Sequence, residues 1–100
     1  MKSAPRKTAK KRISVFWEGR VQGVGFRYTA ESAALELGVL GWVRNLPDGR
    51  VEALAEASEK ELKTFLTRIA QGPMKRYIIK AQVAWQEATG EFEDFRIRFY

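Results

Sequence analysis

Apolar residues recur in this 100-residue chain with two periods, which predict strands in some segments and helices in others. Alternation of apolar and polar residues predicts a first strand from Ile13 through Val15 to Trp17. The same alternation predicts four more strands, at residues 40–45, 50–56, 77–85 and 95–100. The segment 45–49 contains Pro, Asp and Gly, so we expect it to form the turn of a hairpin.

Two segments show the spacing of three and four residues that is typical of amphipathic helices. The first helix is predicted over residues 28–37 and ends at Gly38. Its apolar stripe consists of Ala30, Ala33, Ala34 and Leu37. The second begins with a capping box of Ser58 and Glu61 and ends at Gly72-Pro73. Its apolar stripe consists of Leu62, Phe65, Leu66 and Ile69.

The predicted order is strand, helix, strand, strand, helix, strand, with one short strand added at the end. This βαββαβ order indicates an α+β protein with a ferredoxin-like sandwich. We therefore expect an antiparallel sheet with two helices on one face. Residues 13–100 are long enough to form one domain with its own core.

The positive charge of the chain is concentrated at its beginning. The net charge is +6, from 18 basic and 12 acidic residues. The first 12 residues contain no acid and hold the basic residues Lys2, Arg6, Lys7, Lys10, Lys11 and Arg12. The remainder is therefore formally neutral. We expect residues 1–12 to be a disordered basic tail that makes at most weak contacts with nucleic acid.

The chain contains no histidine and no cysteine. This composition excludes disulfides, histidine or thiolate metal sites, cysteine nucleophiles and the Ser-His-Asp triad. We expect no metal and no other cofactor. No apolar run is long enough to span a bilayer, and no signal peptide follows the basic start, so we expect a cytoplasmic protein that does not contact membranes.

A glycine-rich segment, GRVQGVGFR at residues 19–27, lies between the first strand and the first helix. Such a turn directs backbone N–H groups into one small space at a helix N-terminus, which favours an anion. Arg27 stands where the helix dipole disfavours a cation, and a bound phosphate would remove that conflict. Two alternatives remain from the residues alone: the glycines only shape a turn, and Arg27 forms a surface ion pair with Glu31.

Two segments of the chain resemble signatures of the acylphosphatase family. Residues 19–27 resemble its phosphate-binding signature. Residues 41–45, GWVRN, followed by Gly49 and Val51, resemble its second signature. Trp17 and Ala57 depart from the pattern, which affects local packing rather than the phosphate contacts.

The resemblance implies hydrolysis of the carboxyl–phosphate bond of acyl phosphates, without a metal and without a phosphoenzyme. It implies that Arg27 holds the phosphate and Asn45 positions the attacking water. The loop residues implied to surround the phosphate oxygens with N–H groups are Gln22, Gly23, Val24, Gly25, Phe26 and Arg27. Inorganic phosphate is then a product and a competitive ligand, and we expect a monomer.

The chemistry of the residues is compatible with this reaction. A carboxylate leaving group has a conjugate acid with a pKa of about 4, so it needs no general acid. A planar, permanently charged guanidinium suits the transferred phosphoryl group. The residues alone leave Asn45 open as a simple turn residue. They favour surface positions for Arg20 and Arg44, turn chemistry for Asp48, and packing for Trp42 and Trp85.

Two other functions compete with this interpretation. A ferredoxin-like RNA-binding module would place exposed aromatic residues on its central strands, but the segment 50–56 has none and contains two acids. A non-catalytic anion-binding domain, related to carbamoyl-transferring proteins, would keep the fold and the loop.

Overall fold

The computed structural model describes residues 10–99 and contains the predicted βαββαβ order with a fifth strand added. The strands are β1 (Lys10–Gly19), β2 (Leu40–Asn45), β3 (Val51–Ser58), β4 (Ile78–Glu87) and β5 (Phe95–Arg98). The helices are α1 (Phe26–Leu37) and α2 (Glu59–Gln71). A short 3-10 helix at Lys75–Tyr77 precedes β4. In the described residues, no helix has the length and apolar character needed to cross a membrane.

The five strands form one mixed sheet in the order β4-β1-β3-β2-β5. The first four strands pair antiparallel, as predicted. β5 instead pairs parallel to β2, with Phe95 opposite Gly41 and Ile97 opposite Val43. β4 and β5 lie at opposite edges of the sheet, so the chain between them passes from one edge to the other. The alternation of residues within the last strand contains no information about its pairing partner.

Both helices pack on the face of the sheet that carries the core. Ile13 and Val15 of β1 and Phe65 of α2 are completely buried, in agreement with the predicted apolar stripes. α1 faces the core through the small side chains of Ala30 and Ala34, which let the helix lie close to the strands. The predicted capping box is present at the start of α2.

The first strand begins earlier than predicted, at Lys10 rather than near Ile13. Lys10, Lys11 and Arg12 pair with β3, so the predicted boundary of the basic tail after residue 12 is wrong by three residues. The reason is a buried partner: Glu56 is 3% exposed and accepts a hydrogen bond from Arg12 Nε at 2.7 Å. Residues 1–9 of the predicted tail lie outside the described residues.

The predicted apolar stripe on β4 is not buried, because residues 79–87 are all exposed. The register with β1 shifts by one residue at Glu18 and Gly19, and Ile79 lies at that irregularity with 84% of its surface exposed. Val83 and Trp85 pair with β1 at the edge of the sheet and are also exposed, at 38% and 43%. Trp85 is therefore less buried than its predicted packing role implies.

Candidate active site

The loop between β1 and α1 has the backbone shape that an anion site requires. Gly23 and Gly25 adopt φ angles of 78° and 83°, a left-handed conformation that other residues rarely adopt. Gly25 is also the residue that precedes the first turn of α1. Two apolar residues anchor the loop in the hydrophobic core. Val21 is completely buried, and the ring centres of Phe26 and Trp17 are 5.0 Å apart. Trp17, the departure from the family pattern, thus supports the start of α1.

The amide groups of this loop are available as donors. Within residues 10–99, the N–H groups of residues 22–25 donate to no protein acceptor. The N–H groups of Phe26 and Arg27 begin α1 and therefore have no intrahelical acceptor. The loop and the first helical turn together present a run of N–H groups with the positive end of a helix dipole behind them.

The side chain of Gln22 fixes the loop to the hairpin between β2 and β3. Its amide nitrogen donates to the carbonyl of Leu46 at 2.7 Å and to the carbonyl of Arg50 at 2.9 Å. Leu46 follows directly after Asn45 in the chain. The loop and the end of β2 are therefore held in one fixed arrangement.

Arg27 extends from the first turn of α1 toward the end of β5. Its guanidinium donates to the carbonyl of Arg98 at 3.3 Å and lies 5.0 Å from the centre of the Phe99 ring. The alternative partner suggested by the sequence, Glu31, forms no ion pair with Arg27 in the described part of the chain. The planar group is thus held by a carbonyl and an aromatic face, neither of which neutralises its charge.

Asn45 ends β2 on the face of the sheet that carries Val43, which is the face covered by the helices. Its side-chain oxygen Oδ1 is buried and has no hydrogen-bond partner among residues 10–99. A buried polar atom without a protein partner calls for a specific explanation, because leaving it unpaired is unfavourable. A water molecule or a substrate group can provide that partner.

The end of β2 and the residue after β5 border one cleft. Its volume is about 540 Å³, and it is lined by Arg44, Asn45, Leu46, Pro47 and Phe99. Phe99 therefore contacts both the cleft and the guanidinium of Arg27. Phe99 thus has Asn45 beside it in the lining of the cleft and the guanidinium of Arg27 over its ring.

Two other polar residues near the site, Asp48 and Arg44, have structural partners. Asp48 accepts hydrogen bonds from the backbone N–H of Arg50 at 3.1 Å and from its Nε at 2.9 Å. The backbone hydrogen bond from Arg50, helped by the guanidinium, lowers the pKa of Asp48, which suits a turn carboxylate better than a general base. Arg44 pairs with Glu52 at 2.9 Å and lies over the Trp42 ring, and Arg20 is exposed.

Two features of the site were not found from the sequence. The side chain of Gln22 connects the loop to the hairpin, whereas only its backbone was expected to act. Phe99 was assigned to the last strand without a role at the site. The placement of Phe99 depends on the parallel pairing of β5 with β2, and local periodicity contains no signal for that pairing. In residues 10–99, no three acidic side chains form a group that could hold a metal ion.

Comparison with known proteins agrees with the geometry. A sequence model of the acylphosphatase family matches residues 13–97. The acylphosphatase of Syntrophus aciditrophicus is 45% identical over 89 residues, which cover 89% of this chain and 93% of that protein.

Solved structures show the same relationship. The crystal structure of acylphosphatase from Bacillus subtilis has a TM-score of 0.82 and 34% identity, covering 88% of this chain and 98% of that chain. Full-length HypF, in a phosphate- and nucleotide-bound form, has a TM-score of 0.80 and 26% identity over 91% of this chain, but only 12% of its own length is covered. With a family model spanning residues 13–97 and a relative of 45% identity along nearly its whole length, this chain belongs to the acylphosphatase family.

Proposed function

We propose that this protein is an acylphosphatase that hydrolyses the carboxyl–phosphate bond of acyl phosphates without a metal ion. The observation that best supports the proposal is the arrangement at one end of the sheet. The unpaired N–H groups and Arg27 belong to one loop and the first helical turn that follows it, the side chain of Gln22 bonds this loop to the β2–β3 hairpin, and Asn45, with its unpaired Oδ1, directly precedes that hairpin.

In this mechanism the loop amides and Arg27 bind the three terminal phosphate oxygens. These donors are fixed before substrate arrives, because Gln22 fastens the loop and the carbonyl of Arg98 holds the guanidinium. Phosphoryl transfer requires mainly positioning and stabilisation of charge on those oxygens. Preformed donors stabilise that charge without reorganising during the reaction.

The reaction itself is one displacement at phosphorus. The water oxygen forms a bond to phosphorus while the bond between phosphorus and the carboxyl oxygen breaks. The carboxylate leaves with the bonding electron pair, and a phosphate oxygen of the substrate accepts the proton of the water. Because the leaving group is a carboxylate with a conjugate-acid pKa of about 4, no general acid is required.

Asn45 positions the attacking water in this proposal. Its amide can accept a hydrogen bond through Oδ1 and donate through Nδ2 without adding charge. Oδ1 has no protein partner within the described residues, so its acceptor capacity is not already used by another group of the protein. Asp48 does not serve as the base, since its lowered pKa reduces its proton affinity.

Hydrolysis of benzoyl phosphate in ¹⁸O-labelled water tests the proposal. Attack at phosphorus places one ¹⁸O in the inorganic phosphate, whereas attack at the carbonyl carbon places it in benzoate. We expect enzyme-dependent hydrolysis with the label in phosphate. Label in benzoate would contradict the displacement at phosphorus, and an absence of enzyme-dependent hydrolysis would contradict the activity.

Two substitutions at Arg27 test the role of the guanidinium in the same assay. We expect Arg27→Ala to lose at least about 10³-fold in kcat/KM, which corresponds to about 4 kcal/mol of transition-state stabilisation. Arg27→Lys keeps the charge but loses the planar fork, so we expect it to recover little of the rate. A lysine variant with nearly wild-type kcat/KM would show that the planar geometry of the guanidinium is not needed.

A further inference from the structure

We propose that Phe99 forms one wall of an acyl-binding subsite and selects substrates with a flat, apolar acyl group, above all an aromatic one. The proposal rests on the proposed function, because it concerns the part of an acyl phosphate that is not the phosphate. Phe99 follows β5 directly, so its position is set by the pairing of that strand with β2.

The exposure of Phe99 needs an explanation. The side chain is 77% exposed, although it comes two residues after Ile97, which packs against the core. Ile97 pairs with Val43, so Phe99 and Asn45 are the next residues on that face of the two strands. The alternation thus places an aromatic ring beside Asn45, beyond the end of the core.

The ring has two different surroundings. The guanidinium of Arg27 lies 5.0 Å from the ring centre, while the ring also lines the cleft that contains Asn45, Leu46 and Pro47. If Arg27 holds the phosphoryl group, the acyl group of the substrate continues from that phosphoryl group into a space bordered by Phe99. In the proposal the acyl group therefore enters the cleft and lies against this ring.

The composition of the cleft defines what it would bind. Leu46, Pro47 and Phe99 present apolar surface, and Phe99 and Pro47 are exposed in the structure. An aromatic acyl group would bury this surface together with its own, whereas an acetyl group is too small to cover it. Offset or edge-to-face contact between two rings adds a preference beyond the buried area. The expected class of substrate is an aryl or similarly flat acyl phosphate.

The chain contains a matched control for the Arg–Phe pair. The guanidinium of Arg12 lies 5.2 Å from the centre of the Phe92 ring, but Arg12 belongs to the buried network around Glu56. Neither residue of that pair lines the cleft. Phe92→Ala therefore removes a comparable aromatic contact without touching the proposed subsite.

The test compares benzoyl phosphate with acetyl phosphate as substrates of the full chain. The ratio of their kcat/KM values is measured for the wild type, Phe99→Ala and Phe92→Ala, together with inhibition by inorganic phosphate. We expect the wild type to prefer benzoyl phosphate. Phe99→Ala should lower the ratio by about tenfold, since loss of one aromatic contact is expected to cost about that much. The control should keep the wild-type ratio.

Inhibition by inorganic phosphate distinguishes an acyl-binding role of Phe99 from a role in which Phe99 only positions Arg27. If Phe99 only positions the guanidinium, Phe99→Ala lowers kcat/KM for both substrates equally and weakens inhibition by phosphate, and the unchanged ratio overturns the proposal. Pro47→Ala alters another part of the lining, and we expect it to lower the ratio as well. If the wild type hydrolyses neither substrate, the proposed function fails; if it hydrolyses both without preference, only the subsite fails.

Discussion

The side-chain amide of Gln22 donates to the carbonyl of Leu46 at 2.7 Å and thereby fastens the glycine-rich loop between β1 and α1 to the hairpin that carries Asn45. A second bond from the same amide, to the carbonyl of Arg50 at 2.9 Å, fixes the orientation of the side chain. Leu46 and Arg50 also form a backbone hydrogen bond across the hairpin at 2.9 Å. One glutamine therefore sets the distance between the loop amides that we propose as phosphate donors and Asn45, which we propose to orient the water.

Gln22→Ala should reduce activity more than it reduces stability. Both carbonyls keep backbone partners after the substitution, so the free energy of unfolding should fall by only about 1–2 kcal/mol. The loop would no longer be held against the hairpin, and we expect kcat/KM to fall by about tenfold or more. Steady-state kinetics and urea unfolding on the same preparation check both parts. An unchanged kcat/KM would show that the loop holds its geometry without Gln22.

Asn45→Ala should separate catalysis from phosphate binding. If the Asn45 amide orients the water as proposed, its loss should lower kcat by about 10²-fold, or about 3 kcal/mol, while inhibition by inorganic phosphate changes little. Asp48→Ala is the matched control in the same hairpin, because Asp48 stabilises the turn through Arg50. The control should unfold at a lower temperature but keep its rate per folded molecule. An Asn45→Ala variant that behaves like the control would assign Asn45 to the turn alone.

The carboxylate of Glu56 should make the fold sensitive to acid. Burial alone would raise the pKa of Glu56, but hydrogen bonds from the Thr89 amide, the Arg12 side chain and the Gly90 amide outweigh it, so the pKa is lowered. A lowered pKa stabilises the fold above the ordinary value of about 4.5, and this stabilisation is lost as the pH falls below that value. The free energy of unfolding should therefore decrease from about pH 5 downward.

Glu56→Gln tests this assignment. At pH 7 the variant should lose about 1.5–3 kcal/mol, the range for hydrogen bonds to a charged group, and it should lose less stability than the wild type between pH 5 and pH 3. Glu91→Gln is the control, since Glu91 accepts from the same Arg12 at 2.7 Å but is exposed, and its effect should be smaller. Parallel pH profiles for the wild type and Glu56→Gln would assign the acid sensitivity to other groups.

Two truncations locate the beginning of the folded domain. A chain that starts at residue 10 keeps the contacts of β1 with the other described residues, whereas a chain that starts at residue 13 loses Arg12 and leaves Glu56 without its guanidinium partner. We expect the first truncation to unfold at the temperature of the full chain and the second at a clearly lower temperature. Thermal unfolding followed by circular dichroism gives the comparison. Equal midpoints would mean that the Arg12–Glu56 pair contributes nothing to stability.

Local sequence patterns predicted most of the fold, because each pattern reports a local physical requirement. The stripe of Leu62, Phe65 and Ile69 and the capping box at Ser58 are determined within one helix, and the structure contains both. The prediction that Arg12 belongs to a basic tail is wrong. Its partner, Glu56, is 44 residues away, so the local sequence around Arg12 contains no sign of its place in the sheet. Phe99 was overlooked for a related reason, since its neighbours Arg27 and Asn45 become neighbours only through the parallel pairing of β5 and β2.

The initial rate of benzoyl phosphate hydrolysis in excess EDTA, measured at several concentrations of inorganic phosphate, tests the central claim most directly. The proposed site uses loop amides and Arg27 rather than a metal, so the rate should be the same with and without chelator. Inorganic phosphate should raise KM without changing kcat, because it binds to the same donors as the phosphoryl group. Activity that disappears in EDTA and returns with magnesium, or phosphate inhibition that lowers kcat at constant KM, would contradict the account.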